Sequence, residues 1–90
     1  MRSKITNQIT DNNTISGLVA GSRHGMLQVK GTAGVLTGYM SLDGETWQAC
    51  DTYDMTGTSA VLELLVPAAG ALIKIVTTGT FTDAWVNWEG

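Results

Sequence analysis

The chain has 90 residues, among them 13 threonines and 11 glycines, with only 14% charged side chains and a formal net charge of −3. Such a length supports a single domain with one modest core and a radius of gyration of roughly 12 Å, and the Thr/Gly balance favours strands and turns over helices. One cysteine excludes an intramolecular disulfide, no apolar run reaches membrane-spanning length, and no window carries a 3.6-residue apolar stripe.

Residues 1–13 are polar, with Ile5 and Ile9 as their sizeable apolar anchors, and end in Asp11-Asn12-Asn13. They read as an extended N-terminal arm ahead of a domain over residues 14–90. Two strands follow, Thr14–Ala20 and Gly25–Lys30, separated by Gly21-Ser22-Arg23-His24. In the second, Leu27 and Val29 share one face and Met26, Gln28 and Lys30 the other, the period-2 pattern of a half-buried strand. Val35–Leu42 and Thr46–Cys50 form a hairpin around Asp43-Gly44, a dipeptide suited to a tight turn whose two central residues both take positive φ. This register puts Trp47 on the core face.

Asp51–Gly57 reads as a polar acidic loop. Ser59–Val66 alternates again, with Ala60, Leu62, Leu64 and Val66 opposite Val61, Glu63 and Leu65. Pro67-Ala68-Ala69-Gly70 breaks the strand, because proline cannot donate to a ladder. Ala71–Thr78 is apolar on both faces, as expected of a central strand. After Thr78-Gly79-Thr80, the last strand Phe81–Glu89 sets Ala84, Val86 and Trp88 against Asp83, Trp85, Asn87 and Glu89. About seven strands with a turn roughly every ten residues predict an all-β, antiparallel two-sheet β-sandwich, Ig-like or jelly-roll-like.

Charge is unevenly spread. Residues 1–30 carry Arg2, Lys4, Arg23 and Lys30 against Asp11, whereas residues 31–90 carry Lys74 against seven acidic side chains. The basic residues are too few, and too poorly interleaved with aromatics, for a nucleic-acid site. The first residues lack the apolar core of a signal peptide, so folding in a cytoplasm is the expectation.

No constellation for catalysis stands out. His24 has no acidic neighbour in sequence to orient it and reads as an exposed loop histidine. Cys50 reads as a small, buried or half-buried strand-end residue. Asp51, Asp54, Asp43 and Glu45 match no established calcium loop, and the glycines precede no helix that would complete a phosphate-binding loop. Catalytic, metal and cofactor residues are therefore expected to be absent. Trp85 is different, being a large aromatic on an otherwise polar strand face. Either it contacts a partner or the N-terminal segment or a loop covers that face; Tyr39 and Tyr53 pose the same choice.

The hairpin residues Ser41-x-Asp43-Gly44-x-Thr46-Trp47 resemble the Asp-box turn of sialidase-type propellers, shortened by one residue between Asp and Gly. That motif marks a hairpin and not an active site. Over residues 25–90, the order of Gly25–Gly31, the Ser41–Trp47 turn, Leu62–Val66, Pro67–Gly70, Ala71–Gly79 and a final alternating strand is similar to the small all-β virion proteins of tailed bacteriophages. The resemblance implies a non-enzymatic decoration or cement protein, bound to the major capsid protein or another virion protein. It also implies a symmetric homo-oligomer, a trimer for threefold positions of a shell, assembled in the host cytoplasm and resident in the virion. Arg2, Lys4, Ile5, Ile9 and Trp85 would then bind the partner. A second reading is a glycan-binding module of a phage head or tail fibre, with Trp85 or Tyr53 as stacking platform and Asp51–Asp54 hydrogen-bonding sugar hydroxyls. Neither reading involves a cofactor, nucleic acid or a membrane.

Overall fold

Alternating apolar side chains give most strands one face that must leave water, and two sheets meeting on those faces satisfy all of them at once. The computed structural model describes residues 2–89, Arg2 by its backbone alone. In chain order the strands are β1 (Arg2–Lys4), β2 (Ile9–Thr10), β3 (Thr14–Val19), β4 (His24–Gly31) and β5 (Gly34–Ser41). Then come β6 (Gln48–Met55), β7 (Ser59–Leu65), β8 (Leu72–Thr77) and β9 (Phe81–Glu89). A four-stranded sheet has the order β1-β9-β4-β7 and a five-stranded sheet the order β2-β3-β8-β5-β6. Every pairing is antiparallel, and among the described residues the only helical segment is a short 3₁₀ turn at Thr6–Gln8. The expected two-sheet sandwich is the observed one, with a radius of gyration of 11.8 Å.

The core lies between the sheets. Leu27, Val29, Ala84 and Val86 enter it from the four-stranded sheet, and Ile15, Leu36, Ile73 and Ile75 from the five-stranded one. Each fully buried side chain of this size is worth about 1.5–3 kcal/mol relative to exposure. β8 is the middle strand of its sheet, in accord with the apolar character of both its faces. Trp88 closes one end of the core by lying across Gly25, its cross-strand partner. A Cβ at Gly25 would stand 2.5 Å from Trp88 Cε3, so only glycine admits the indole there.

Residues 2–10 are two short strands joined by the Thr6–Gln8 turn, and they do not form a free arm. β1 pairs with β9, β2 pairs with β3, and the Ile5 amide donates to the Ala84 carbonyl at 2.8 Å. Ile5 is 5% exposed, within the core, and Ile9 packs against it partly buried. Ile5 is thus removed from any partner-binding surface. The chain then reverses through Asp11 and Asn12, both at positive φ (53° and 63°), with the Asn13 amide closing onto the Thr10 carbonyl. This is the left-handed pair that a tight hairpin demands. It was expected at Asp43-Gly44.

At Asp43-Gly44 only Gly44 has positive φ, 79°. The connection runs from Ser41 to Gln48, and the Asp43 carboxylate organises it: Oδ1 accepts the Ser41 hydroxyl and the amides of Glu45 and Thr46 at 2.8–2.9 Å. Ser41 Oγ in turn accepts the Gly44 amide. These donors, Thr46 and Glu45 foremost, hold the Asp43 carboxyl well below the usual carboxylate range. The longer loop moves Trp47 to the outer face. It sits half-buried with its ring 4.5 Å from Lys74 Nζ, and Lys74 lies directly across from Tyr39, on the side of β8 away from buried Ile73 and Ile75.

Asp51–Asp54 are strand rather than loop, since β6 continues to Met55, which is buried. Every other residue of β6 is exposed. It is an edge strand whose threonine and tyrosine suit the pleat and whose carboxylates discourage pairing with a second chain.

Candidate functional site

The outward face of the four-stranded sheet holds the chain's most unusual surface. Its side chains fall into cross-strand rows, because directly opposed residues of antiparallel strands share a face. One row is Lys4, Trp85, Gln28 and Val61, set by the pairs Lys4–Trp85, Trp85–Gln28 and Gln28–Val61. The next holds Asn87, Met26 and Glu63. Beyond it lie Glu89, His24 and Leu65, and on the other side of Trp85 lie Asp83, Lys30 and Ser59.

Trp85 is half-buried on this face. Lys4 Nζ and Lys30 Nζ lie 5.9 Å and 5.7 Å from its ring centroid, within cation–π range. Lys4 also approaches Asp83 Oδ1 at 3.8 Å, and that oxygen accepts the Thr6 hydroxyl at 2.9 Å. Trp85 is therefore flanked by the N-terminal segment without being roofed over by it, so the expected cover by that segment is partial. Lys4 and Trp85, placed together as partner-binding residues, are adjacent. Arg2 lies opposite Asn87 in the register of the same sheet, with its side chain outside the described residues. Ile5 belongs to the interior, and Ile9 packs partly buried against it.

His24 opens β4 and is not a loop residue. Nε2 lies 2.8 Å from Glu63 Oε2 and Nδ1 lies 2.8 Å from Glu89 Oε2, so both ring nitrogens meet carboxylates. These hydrogen bonds, to Glu63 and then Glu89, raise the imidazole above its ordinary value and outweigh the opposing effect of desolvation. The partners stand 39 and 65 residues away in sequence. They were hidden until the register of three strands was known.

Tyr53 lies elsewhere. With Asp51 and Thr52 it borders a cleft of about 220 Å³ between β6 and the edge of β7, floored by Leu36, Leu64, Ile73 and Ile75. This is below the ~300–1,000 Å³ usual for ligand pockets, and its floor is the apolar core. Cys50, at the same cleft, is exposed rather than buried, although partial burial of the thiol and the Asp51 charge push its pKa up. Among the described residues no group of three or more His, Cys, Asp or Glu side chains gathers as a metal site.

No family model and no curated protein matches the chain. Solved structures do. The CBM36-1 domain of a multidomain xylanase from the hindgut metagenome of Trinervitermes trinervoides superposes with a TM-score of 0.60 at 13% identity, over 100% of this chain and 99% of that one. The C-terminal CBM6 of LamC, a marine laminarinase from Zobellia galactanivorans, gives 0.57 at 10% identity, over 97% and 99%. A protein described as a GDSL-like lipase from Bacteroides ovatus gives 0.63 at 11% identity, but this chain spans only 30% of it. At such identities the likeness establishes the β-sandwich fold alone. Of the structures named here, the two matched over nearly their whole length are carbohydrate-binding modules.

Proposed function

We propose that this domain is a non-catalytic glycan-binding module whose ligand lies on the outer face of the four-stranded sheet. The observation that carries the reading is Trp85, held half-exposed among Gln28, Asn87 and the two lysines. A sugar ring offers an apolar face to stack on an indole and a rim of hydroxyls for amide side chains, and this surface supplies both. The full-length likeness to carbohydrate-binding modules supports the same class. The smaller cleft beside Tyr53 has an apolar floor poorly matched to hydroxyls, so Trp85 is the platform of the two considered.

Titration of soluble glycans against intrinsic fluorescence tests this, with calorimetry as the second readout. Trp85→Ala, on the outer face and clear of the core, is expected to keep the far-UV spectrum and lose binding. Wild-type protein that binds no member of a broad glycan array would sink the proposal.

Decoration of a capsid shell has weaker support. Ile5, one of its anchors, is in the core, and none of the three similar structures named above is a virion protein. The resemblance of residues 25–90 to phage virion proteins supports a narrower setting, a glycan-binding module carried on a phage head or tail fibre. Detection of the chain in purified particles tests that setting apart from the binding itself.

A further inference from the structure

We infer that the ligand of the Trp85 face is an acidic glycan, in which a sugar carrying a single carboxylate stacks on Trp85 within reach of Lys4 and Lys30. This rests on the glycan reading above. The two ammonium groups come from the strands on either side of β9, Lys4 from β1 and Lys30 from β4, and each lies within 6 Å of the ring centroid. In a chain of net charge −3, that is a local excess of positive charge around the half-buried indole of this sheet face.

Charge pairing does not use up that excess. Asp83 is the carboxylate at this end of the face. Its Oδ1 already accepts the Thr6 hydroxyl and lies at the long distance of 3.8 Å from Lys4, and Asp83 stands directly across the ladder from Lys30 without forming an ion pair with it. Among the described residues no carboxylate pairs with Lys30. An ammonium carries three donors, and a long side chain lays its stem on an apolar surface while holding the charged head in water. Both lysines thus present unused donors beside the stacking surface.

The far end of the face has the opposite sign. Glu63 and Glu89 bracket His24 there, and Gln28, Met26 and Asn87 lie between the two ends. A ligand with one carboxylate and a neutral remainder fits this polarity, with its acid at the lysines and hydroxyls toward the amides and glutamates. A strand of nucleic acid does not. It would stack a base on Trp85 but carry its next phosphates toward the two glutamates.

The experiment is an array of matched oligosaccharide pairs, each a neutral glycan and the same glycan bearing one glucuronic, galacturonic or sialic acid unit, with oligothymidylate as a further probe. Acidic members are expected to bind about five- to tenfold more tightly than their neutral partners at low salt, the scale of two exposed ion pairs. That preference should vanish at high salt as the charges are screened. The double variant Lys4→Gln/Lys30→Gln, at exposed positions, is expected to erase the preference, bringing the ratio of acidic to neutral affinity to within about twofold of one. Equal binding of neutral and acidic members, or a preference that survives the double variant, overturns the acidic assignment and leaves the glycan module standing. Tighter binding of oligothymidylate than of any glycan overturns it in favour of nucleic acid. Failure of every glycan removes the function itself, so the two failures are told apart.

Discussion

Replacing Ile5 by alanine separates a free N-terminal arm from one built into the sandwich. The side chain is 5% exposed and belongs to the same buried cluster as Ile15, Leu27 and Val86. Truncating a buried isoleucine costs about 2–5 kcal/mol, through lost transfer free energy plus the cavity left behind. Ile5 follows the short edge strand β1, where neighbours can partly collapse, so the lower half of that range applies, about 2–3.5 kcal/mol. At ~0.05–0.15 kcal/mol per residue a chain of this size has a total stability of about 5–13 kcal/mol, so the loss is a large fraction of it. Taking about 4–8 °C per kcal/mol, the melting temperature should fall by about 8–28 °C. Thermal and urea unfolding followed by far-UV circular dichroism measure this directly. A melting temperature within about 3 °C of wild type would refute the reasoning, because a side chain on a free arm contributes nothing to the core. Deleting residues 1–13 goes further, since it also removes the Asn12 and Asn13 carbonyls that accept the Phe81 and Thr77 amides; that truncated chain is expected not to fold.

Three other outcomes follow from the geometry. The raised pKa of His24 stabilises the fold fully below its unfolded value of 6.5, and the contribution is lost as pH rises through the folded value. Melting temperature should therefore decline in wild type as pH rises above about 6.5, and His24→Gln should flatten that decline; identical slopes would dissociate the histidine from Glu63 and Glu89. Asp43→Ala removes the acceptor of the Glu45 and Thr46 amides, so both should exchange with deuterium faster while amides of β8 keep their protection. Gly25→Ala drives a methyl into Trp88 and is expected to cost about 1–3 kcal/mol, with a changed near-UV signal from the indole; wild-type stability would mean that Trp88 does not lie across Gly25.

Much of this fold was legible because alternation reports on faces directly. Leu27 and Val29, Ala60 and Leu64, and Ala84 and Val86 all point inward as their spacing says. Parity fails wherever a turn has a different length from the one assumed, and one extra residue sends every later side chain to the other face. That is why Trp47 was expected inside. Asp43 was taken as half of a two-residue turn, whereas it caps a longer loop through its own carboxylate. The β6 continuation was illegible for another reason, since a strand exposed on both faces alternates nothing. Ile5 and Ile9, isolated among polar residues, also form no pattern: Ile5 is buried by joining β9 at the other end of the chain, and Ile9 is partly buried by pairing with Ile15.

The candidate site was half visible. Trp85 stood out by its polar neighbours, and Lys4 was singled out with it. Asn87 shared a face with Trp85 by alternation, but Lys30 and Gln28 gave no signal of their own, because what joins them to Trp85 is the pairing of β4 with β9, a match between segments more than 50 residues apart. A signal was present only in outline: the polar faces of two alternating strands must lie on one surface if those strands are neighbours.

The pairing of β1 with β9 has a consequence for how the domain can be carried. Arg2 lies opposite Asn87, so the chain enters and leaves side by side on one edge of one sheet. A host protein could accept the whole sandwich within a surface loop with little spreading of that loop. By the same token, a short linker joining the two ends, with the chain reopened at the exposed Thr56–Thr58 turn, should yield a circular permutant with the same sheets and an unaltered Trp85 face.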